Sequence, residues 1–487
     1  MGSGQLAFEV TTYPKFPMKK MLIRPLLTGV LVMTSGFAAL AQQSLKLPPS
    51  KQVKLANGLT VILMEQHEVP IISFSVLARA GAVADPKGKE GLSSVTAELL
   101  RKGTKTRTAE QLSAELDFVG GKLNFGTGQD FMSGEAEVLK KDLNIGLELL
   151  SDTLQNPVFI QSEVTKLLRQ RIDAAKQQKD QAQFVIGNYF DAYLFGDHPY
   201  ARPENGDEKT LAAITRADVV SFYANNFGPQ NTTLAAAGDF DAAEMEKLLT
   251  GKFGAWKQRG TPATLSAAKL DDPQPFSGRK LLLVDKPDST QTFFLIGNVG
   301  VSHTNPDRVG IGVVNTVFGG RFTSLLNDAL RVSSGLTYGA RSGFEENRVA
   351  GKFVISTYTQ NATTVQAIDM ALDVLNRLHE QGLSEAQLKS AKAYIKGQFA
   401  PRIETTDTLA GLLCELNFYG LDEREINDYF ARIDALTLAD TRRIIKQYFP
   451  QENLVFVLIG KAGEIKEAVK KYASQMDVKP ITQAGFR

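Results

Sequence analysis

Two sets of side chains decide which chemistry this chain could perform, and the first is its histidines. Metal hydrolases commonly hold zinc with histidines placed four residues apart on one helical face, and a neighbouring glutamate takes a proton from the bound water. This chain has four histidines, and no two of them lie within 70 residues of each other: His67, His198, His303 and His379. Cys414 is the only cysteine. The sequence therefore offers no histidine pair at metal-ligand spacing.

The second set is an arginine and a tyrosine, Arg331 and Tyr338, which follow Gly319-Gly320 and flank Gly335. A guanidinium presents a fixed fork of donors that suits a carbonyl or a carboxylate. A phenol can donate a hydrogen bond to an oxyanion that develops during acyl transfer. Taken alone, the pair favours a plainer interpretation, in which the arginine forms a surface ion pair and the tyrosine lies in the core.

The elements that would position these residues form two copies of one unit. The segment beginning at Ile214 recurs 222 residues later, beginning at Leu436, and both contain a threonine suited to cap a helix. Spacings of 13, 4 and 7 residues then lead to the same residue types in both copies: Phe227, Asn231 and Gly238, and Phe449, Asn453 and Gly460. Strands and helices group separately along each copy. We therefore predict an α+β fold of two homologous domains, each a mostly antiparallel sheet with helices packed on one face.

The predicted domains are an N-terminal domain at residues 50–255 and a C-terminal domain at 279–480. Residues 256–278 are rich in Lys, Pro, Ala, Ser and Asp without a clean periodicity, which predicts a linker. No stretch after residue 41 reaches 18 uninterrupted apolar residues, so we expect no membrane span in the mature protein.

Residues 1–41 predict a tag-like extension followed by an export signal. Met18–Met21 is a short basic start, Leu22–Ala38 is mostly apolar, and Ala39–Ala41 fits the small-x-small cleavage rule. We expect cleavage after Ala41 and a periplasmic location. Without residues 1–41, which carry four basic and one acidic side chain, 51 basic and 52 acidic side chains remain. This balance gives no electrostatic case for binding nucleic acid or an anionic membrane.

The segment Gly91–Thr104 resembles the metal helix of the pitrilysin/insulinase-type zinc peptidases, a family that includes the mitochondrial processing peptidase. The pattern of that helix is G-L-x-H-x-x-E-H-x-L-x-K-G-T, and this chain matches its flanks. Ser94 and Glu98 replace the two histidines, and Ala97 replaces the general base. Counting along the family pattern places the third ligand, a glutamate, at Ala174. The resemblance therefore implies a degenerate metal site in the N-terminal peptidase-like domain and no zinc cofactor in this chain.

The C-terminal peptidase-like domain resembles the pattern G-G-x-x-S-x-L…L-R-x-x-x-G-L-x-Y of the same family, and Arg331 and Tyr338 stand at its Arg and Tyr. In active members these two residues reach across a closed chamber to the zinc half. There they hold the substrate peptide and help to stabilise the tetrahedral intermediate. The resemblance implies the same substrate-binding role for Arg331 and Tyr338.

Together these features predict the non-zinc-binding subunit of a periplasmic heterodimeric zinc metallopeptidase, inactive when alone. The expected partner is a homologous subunit that carries H-x-x-E-H and the zinc, and the expected substrate is a peptide. Two other readings stay open: a non-catalytic peptide-binding or chaperone-like homodimer, and a structural scaffold. A neighbouring reading frame that encodes H-x-x-E-H would favour the heterodimer, and its absence would favour the peptide-binding protein.

Overall fold

The computed structural model of the protein describes residues 46–259 and 270–487. The predicted signal and its cleavage position, Ala41, lie outside the described residues, as does the middle of the predicted linker. These described residues form one compact unit that contains two six-stranded sheets. The first sheet consists of β1 (Ser50–Lys54), β2 (Thr60–Glu65), β3 (Ile71–Ala78), β4 (Lys122–Thr127), β5 (Met132–Leu139) and β6 (Thr232–Gly238). The second consists of β7 (Lys280–Asp285), β8 (Gln291–Val299), β9 (Arg341–Glu345), β10 (Lys352–Gln360), β11 (Val455–Gly460) and β12 (Gln475–Pro480).

Helices follow the strands in both halves, as the sequence predicts for an α+β fold. The first half contains α1 (Leu92–Leu99), α2 (Ala109–Phe118), α3 (Leu143–Gln155), α4 (Gln161–Gln178), α5 (Ala182–Phe195), α6 (Glu208–Ala212), α7 (Arg216–Asn226) and α8 (Ala242–Phe253). The second half contains α9 (Arg308–Phe318), α10 (Leu325–Asn327), α11 (Thr364–Gln381), α12 (Glu385–Phe399), α13 (Thr406–Tyr419), α14 (Arg424–Asn427), α15 (Tyr429–Ala435), α16 (Leu438–Tyr448) and α17 (Ala462–Val469). No helix in the described part of the chain is long and apolar enough to cross a membrane.

The two sheets share one strand order, which confirms the repeat that the sequence predicts. The first sheet runs β1-β2-β6-β3-β5-β4 and the second β12-β7-β11-β8-β10-β9. The parallel pair β2–β6 aligns Thr60 with Thr233, and its counterpart β7–β11 aligns Lys280 with Val455. Most neighbouring strands in both sheets are antiparallel. The copies differ at one edge, because β1 is antiparallel to β2 whereas β12 is parallel to β7.

The predicted caps are present at the start of the repeated helices. The Thr215 side chain accepts a hydrogen bond from the backbone N–H of Asp218 at the start of α7, and the Asp218 carboxylate accepts one from the N–H of Thr215. Thr437 and Asp440 form the same reciprocal pair at the start of α16. Each pair satisfies two backbone donors that a helix N-terminus leaves free.

The second face of each sheet is covered by a helix from the other half, an arrangement that the predicted one-sided packing does not include. Helix α5 of the first half packs on the second sheet, where Tyr189 and Phe190 are fully buried. Helix α13 of the second half packs on the first sheet through Leu409 and Cys414. The central strands β6 and β11 are buried along their whole length, so both of their faces need apolar cover.

Candidate functional site

Helix α1, whose sequence resembles the family's metal helix, begins at a tightly packed glycine. Gly91 has a φ of +92°, and a Cβ there would lie 2.8 Å from the backbone of Gly206. This close approach brings Asn205 next to the first turn of α1. The backbone N–H groups of Gly91 and Ser93 donate to the buried Asp85 carboxylate at 2.8 and 2.7 Å. Burial nevertheless raises the pKa of Asp85 to about 7.

An ion pair occupies the place where the family's helix presents its ligands. Arg171 of α4 donates through Nη2 and Nε to Glu98 Oε2, at 2.7 and 3.1 Å. The same guanidinium donates to Ser94 Oγ at 3.3 Å and to Asn205 Oδ1 at 3.1 Å. Ser94 Oγ in turn donates to Asn205 Oδ1 at 2.9 Å. Arg171 therefore links α1, α4 and the loop at Asn205 through one network.

This donor set does not fit a zinc ion. Ser94 offers a hydroxyl, the Glu98 carboxylate is paired with a guanidinium, and Ala97 is a buried methyl group. Ala174 is exposed on α4, three residues beyond Arg171, and has no ligand atom in its side chain. Within 46–259 and 270–487, no group of three His, Cys, Asp or Glu side chains could hold a metal. Because a cation in this position would also repel Zn²⁺, we assign no metal chemistry to it.

The position of Arg331 is set by a short irregular helical segment. Helix α10 continues as a π-helical turn, Asp328–Ser333, that carries Arg331. The chain then reverses at Gly335, whose φ of +65° favours glycine. The N–H groups of Leu336 and Thr337 donate back to the carbonyl of Leu330, at 2.9 and 3.2 Å. This reversal returns Tyr338 to the side of the turn that bears Arg331.

Arg331 lies between two aromatic rings. Its guanidinium carbon is 4.6 Å from the ring centroid of Phe322 and 4.4 Å from that of Tyr338. Tyr338 is 74% exposed, so it is not the core residue of the plainer interpretation. Arg331 forms no ion pair with any described residue, which also removes the surface ion pair that the plainer interpretation requires. The rings keep the cation in place without neutralising it.

Arg331 and Tyr338 line a cavity of about 930 Å³. Helix α5 of the first half contributes Gln183 and Ile186 to it. The lining also contains two further arginines and several aromatic rings that the sequence analysis does not identify. They are Arg321, Arg341, Phe293, Tyr358 and Tyr394. The signal for Arg321 was its place directly after the glycine pair of the family pattern, whereas the sequence carries no signal for Arg341.

Three neighbouring cavities, each sharing a lining residue with the next, lie between the two sites. Gln183 lines both the cavity of Arg331 and a second cavity of about 390 Å³. Asn205 lines both this second cavity and a third of about 500 Å³ that contains Ser94, Glu98 and Arg171. The residues predicted from the two family patterns therefore line separate cavities, with one further cavity between them.

The second cavity is rich in carboxylates. The Lys352 ammonium donates to Asp191 at 2.6 Å and lies 3.1 Å from Glu345. Burial raises the pKa of Asp191 to about 6 in spite of this partner. Burial and the two neighbouring carboxylates raise the pKa of Glu204 to about 7. The positive charge of Lys352 opposes this shift only in part.

Comparison with known proteins gives matches along most of the chain. A family described as "Insulinase (Peptidase family M16)" matches residues 60–203, and one described as "Peptidase M16 inactive domain" matches residues 213–395. An uncharacterized zinc protease of Mycobacterium leprae is 27% identical over 395 residues, which are 81% of this chain and 88% of the relative. An uncharacterized zinc protease of Bacillus subtilis is 22% identical over 418 residues, which are 85% of this chain and 99% of the relative.

Two solved structures have the same fold. A peptidase M16 inactive domain from Pseudomonas fluorescens superimposes with a TM-score of 0.79 at 22% identity, covering 85% of this chain and 98% of that one. A protease from Helicobacter pylori superimposes with a TM-score of 0.77 at 20% identity, covering 85% of this chain and 100% of that one.

Proposed function

This chain belongs to the pitrilysin/insulinase family of peptidases, and we propose that it is the non-zinc-binding subunit of a heterodimeric zinc metallopeptidase. In this proposal a homologous partner carries H-x-x-E-H and the zinc. This chain contributes Arg331 and Tyr338 to a shared site for a peptide substrate. The export signal predicted at residues 1–41 supports a periplasmic location for the complex.

The observation that carries the proposal is the opposite state of the two half-sites. Arg331 and Tyr338 are accessible on a large cavity, and the charge of Arg331 has no carboxylate partner in the described chain. In contrast, Glu98 and Ser94 are both bonded to Arg171. The groups that would hold a substrate are therefore unpaired, whereas those at the metal positions are already bonded to Arg171. This difference is what we expect if two subunits divide substrate binding and metal binding between them.

The chemistry of this chain follows from how the two side chains are held. The rings of Phe322 and Tyr338 restrict the Arg331 side chain, so less conformational entropy is lost when its donors bind a peptide carbonyl or carboxylate. The Tyr338 hydroxyl has no hydrogen-bond partner among the described residues, and it is free to donate to a developing oxyanion. The partner's zinc would supply activation of the attacking water.

A peptide-binding homodimer or chaperone-like clamp is the second candidate. The cavity of Arg331 favours it, because Arg331, Tyr338 and the surface contributed by Gln183 line one cavity within a single chain. Such a protein would hold extended peptides without any partner and without cleaving them.

The proposal is tested by co-expressing this chain with a homologous chain that carries H-x-x-E-H, preferably the product of a neighbouring reading frame. Cleavage of unfolded peptides is measured per mole of complex. Arg331→Ala in this chain should lower kcat/KM by about 30-fold or more, if the charge is desolvated in the complex. Arg442→Ala is the matched control, because Arg442 is exposed on α16 and away from the cavity. An unchanged rate per complex together with a lower melting temperature would assign Arg331 a structural role and remove the proposal.

A further inference from the structure

We propose that the cavity around Arg331 binds an acidic segment of the peptide; this inference rests on the proposed function, peptide holding, and names its substrate class. The lining of the cavity contains three arginines and, within the described residues, no aspartate or glutamate. None of Arg321, Arg331 and Arg341 forms an ion pair in the described part of the chain. Three uncompensated guanidinium groups around one concave surface create a field that favours carboxylates.

Arg321 is held by contacts that leave its charge unbalanced. Its Nη1 donates to Ser390 Oγ at 3.0 Å, and its guanidinium carbon lies 5.7 Å from the ring centroid of Tyr394. Its Nε is buried and has no hydrogen-bond partner among the described residues. Because Nε is buried, a ligand in the cavity would meet the other guanidinium nitrogens, whose positive charge no described carboxylate pairs with.

Arg341 brings a third cation to the cavity from the sheet. It begins β9, the edge strand of the second sheet, and pairs with Ser356 of β10, which lines the same cavity. Its side chain is exposed. The three arginines thus come from the glycine-pair loop, the π-helical turn and the sheet edge, so they surround the space and do not form a stripe along one element.

The adjoining cavity explains how an acidic segment would be kept in place. Asp191, Glu204 and Glu345 line that second cavity, where Lys352 and Arg202 are the cations. Because the two cations there already face three carboxyl groups, a run of carboxylates would gain less in that cavity than around Arg331. The aromatic rings beside the arginines, among them Tyr338, provide apolar surface for the intervening residues of a peptide. These features favour an acidic peptide over a nucleic acid, since the chain outside residues 1–41 has no excess of basic side chains.

The test is fluorescence anisotropy with labelled peptides of about a dozen residues that differ only at three positions, occupied by Glu, Gln or Lys. We expect the Glu peptide to bind about 10-fold more tightly than the Gln peptide in about 0.05 M salt, and the Lys peptide to bind most weakly. The preference should shrink in about 0.5 M salt, because salt screens the charges.

The variants Arg321→Gln and Arg341→Gln should each weaken binding of the Glu peptide several-fold while changing the Gln peptide little. Arg442→Gln, which removes an exposed arginine outside the cavity, should change neither. Equal affinity for Glu and Gln peptides would overturn the acidic preference and leave peptide holding intact. Failure of every peptide to bind this chain would overturn the acidic-segment proposal and the peptide-binding homodimer, whereas the heterodimer is tested separately by the cleavage assay. Tighter binding of a single-stranded oligonucleotide would replace the peptide by nucleic acid.

Discussion

Arg171 Nη2 lies 2.7 Å from Glu98 Oε2, and this contact joins α4 to α1, the helix whose sequence resembles the metal helix of the family. The guanidinium takes the central place among Ser94, Glu98 and Asn205. A cation therefore contacts both positions, Ser94 and Glu98, that the family pattern assigns to histidine ligands. Building a metal site here would therefore require removal of the Arg171 charge as well as introduction of ligands.

We expect the isolated chain to bind no stoichiometric zinc. The combined variant Ser94→His, Ala97→Glu, Glu98→His and Ala174→Glu should still bind zinc poorly, because it leaves the Arg171 charge without its carboxylate and close to the new ligands. Adding Arg171→Ala should restore about one equivalent, measured by metal analysis after chelator treatment and reloading. If the combined variant binds one equivalent equally well with Arg171 present, the cation does not obstruct the site.

Replacing Tyr338 by Phe should lower kcat of the assembled enzyme by about 10²- to 10³-fold, as the loss of one oxyanion donor does elsewhere. The ring remains, so Arg331 keeps its stacking partner, and KM and the melting temperature should change little. Tyr394→Phe is the control, because Tyr394 lines the same cavity and its hydroxyl also has no hydrogen-bond partner in the described chain. Equal losses from both variants would argue against a specific role for the Tyr338 hydroxyl.

Much of the fold could be predicted from the sequence, because its signals are local. The caps at Thr215 and Thr437 and the repeated spacings depend on neighbouring residues, and the structure confirms the caps and the matching strand orders. The exchange of α5 and α13 between the sheets could not be predicted. Both helices are apolar over much of their surface, which indicates burial without indicating which sheet they cover.

The candidate site, like the fold, could be predicted from the sequence only where its signals are local. The degenerate positions Ser94 and Glu98 were visible because a known pattern fixes their spacing on one helix. Arg171 was missed, although it stands one helical turn before Ala174, because its contact with Glu98 joins residues 73 positions apart. The second and third cavities are neighbours because the loop at Asn205 packs on α1, which no local pattern encodes.

The carboxyl group of Glu204 should make stability depend on pH. Its pKa is about 7 in the folded chain and about 4.3 when unfolded. The folded state therefore binds the proton of the Glu204 carboxyl group more tightly than the unfolded state does. The stability that this protonated group contributes is fully present below about pH 4 and is lost as the pH rises through 7. Glu204→Gln should raise the melting temperature at pH 8 by about 1–3 °C and change it little at pH 4.5.

The matched control for this prediction is Glu423→Gln, because Glu423 is exposed and outside the carboxylate-rich cavity. It should have no effect at either pH. A gain for Glu204→Gln that appears only at pH 4.5, measured by differential scanning calorimetry, would contradict the direction of the shift.

The rate at which a reagent labels the single cysteine can report whether the two halves separate. Cys414 lies on α13, fully buried against the first sheet, with its thiol 3.3 Å from the carbonyl oxygen of Ser75. Burial raises its pKa to about 12, so the thiolate is scarce as well as inaccessible. A thiol reagent should label the native chain about 10³-fold more slowly than the chain in denaturant. Ser474→Cys in a Cys414→Ala background gives the rate of an exposed thiol, because Ser474 is exposed.

Leu409→Ala should accelerate this labelling. Leu409 is buried where α13 meets the first sheet, and removing a buried leucine side chain costs about 2–5 kcal/mol. If α13 leaves the sheet when the halves separate, part of that cost appears as more frequent opening, and Cys414 labels faster under native conditions. Leu388→Ala, which truncates a leucine in the core of the second half alone, should destabilise the chain without a comparable increase in native labelling. Equal acceleration by both variants would show that the thiol is exposed only by global unfolding.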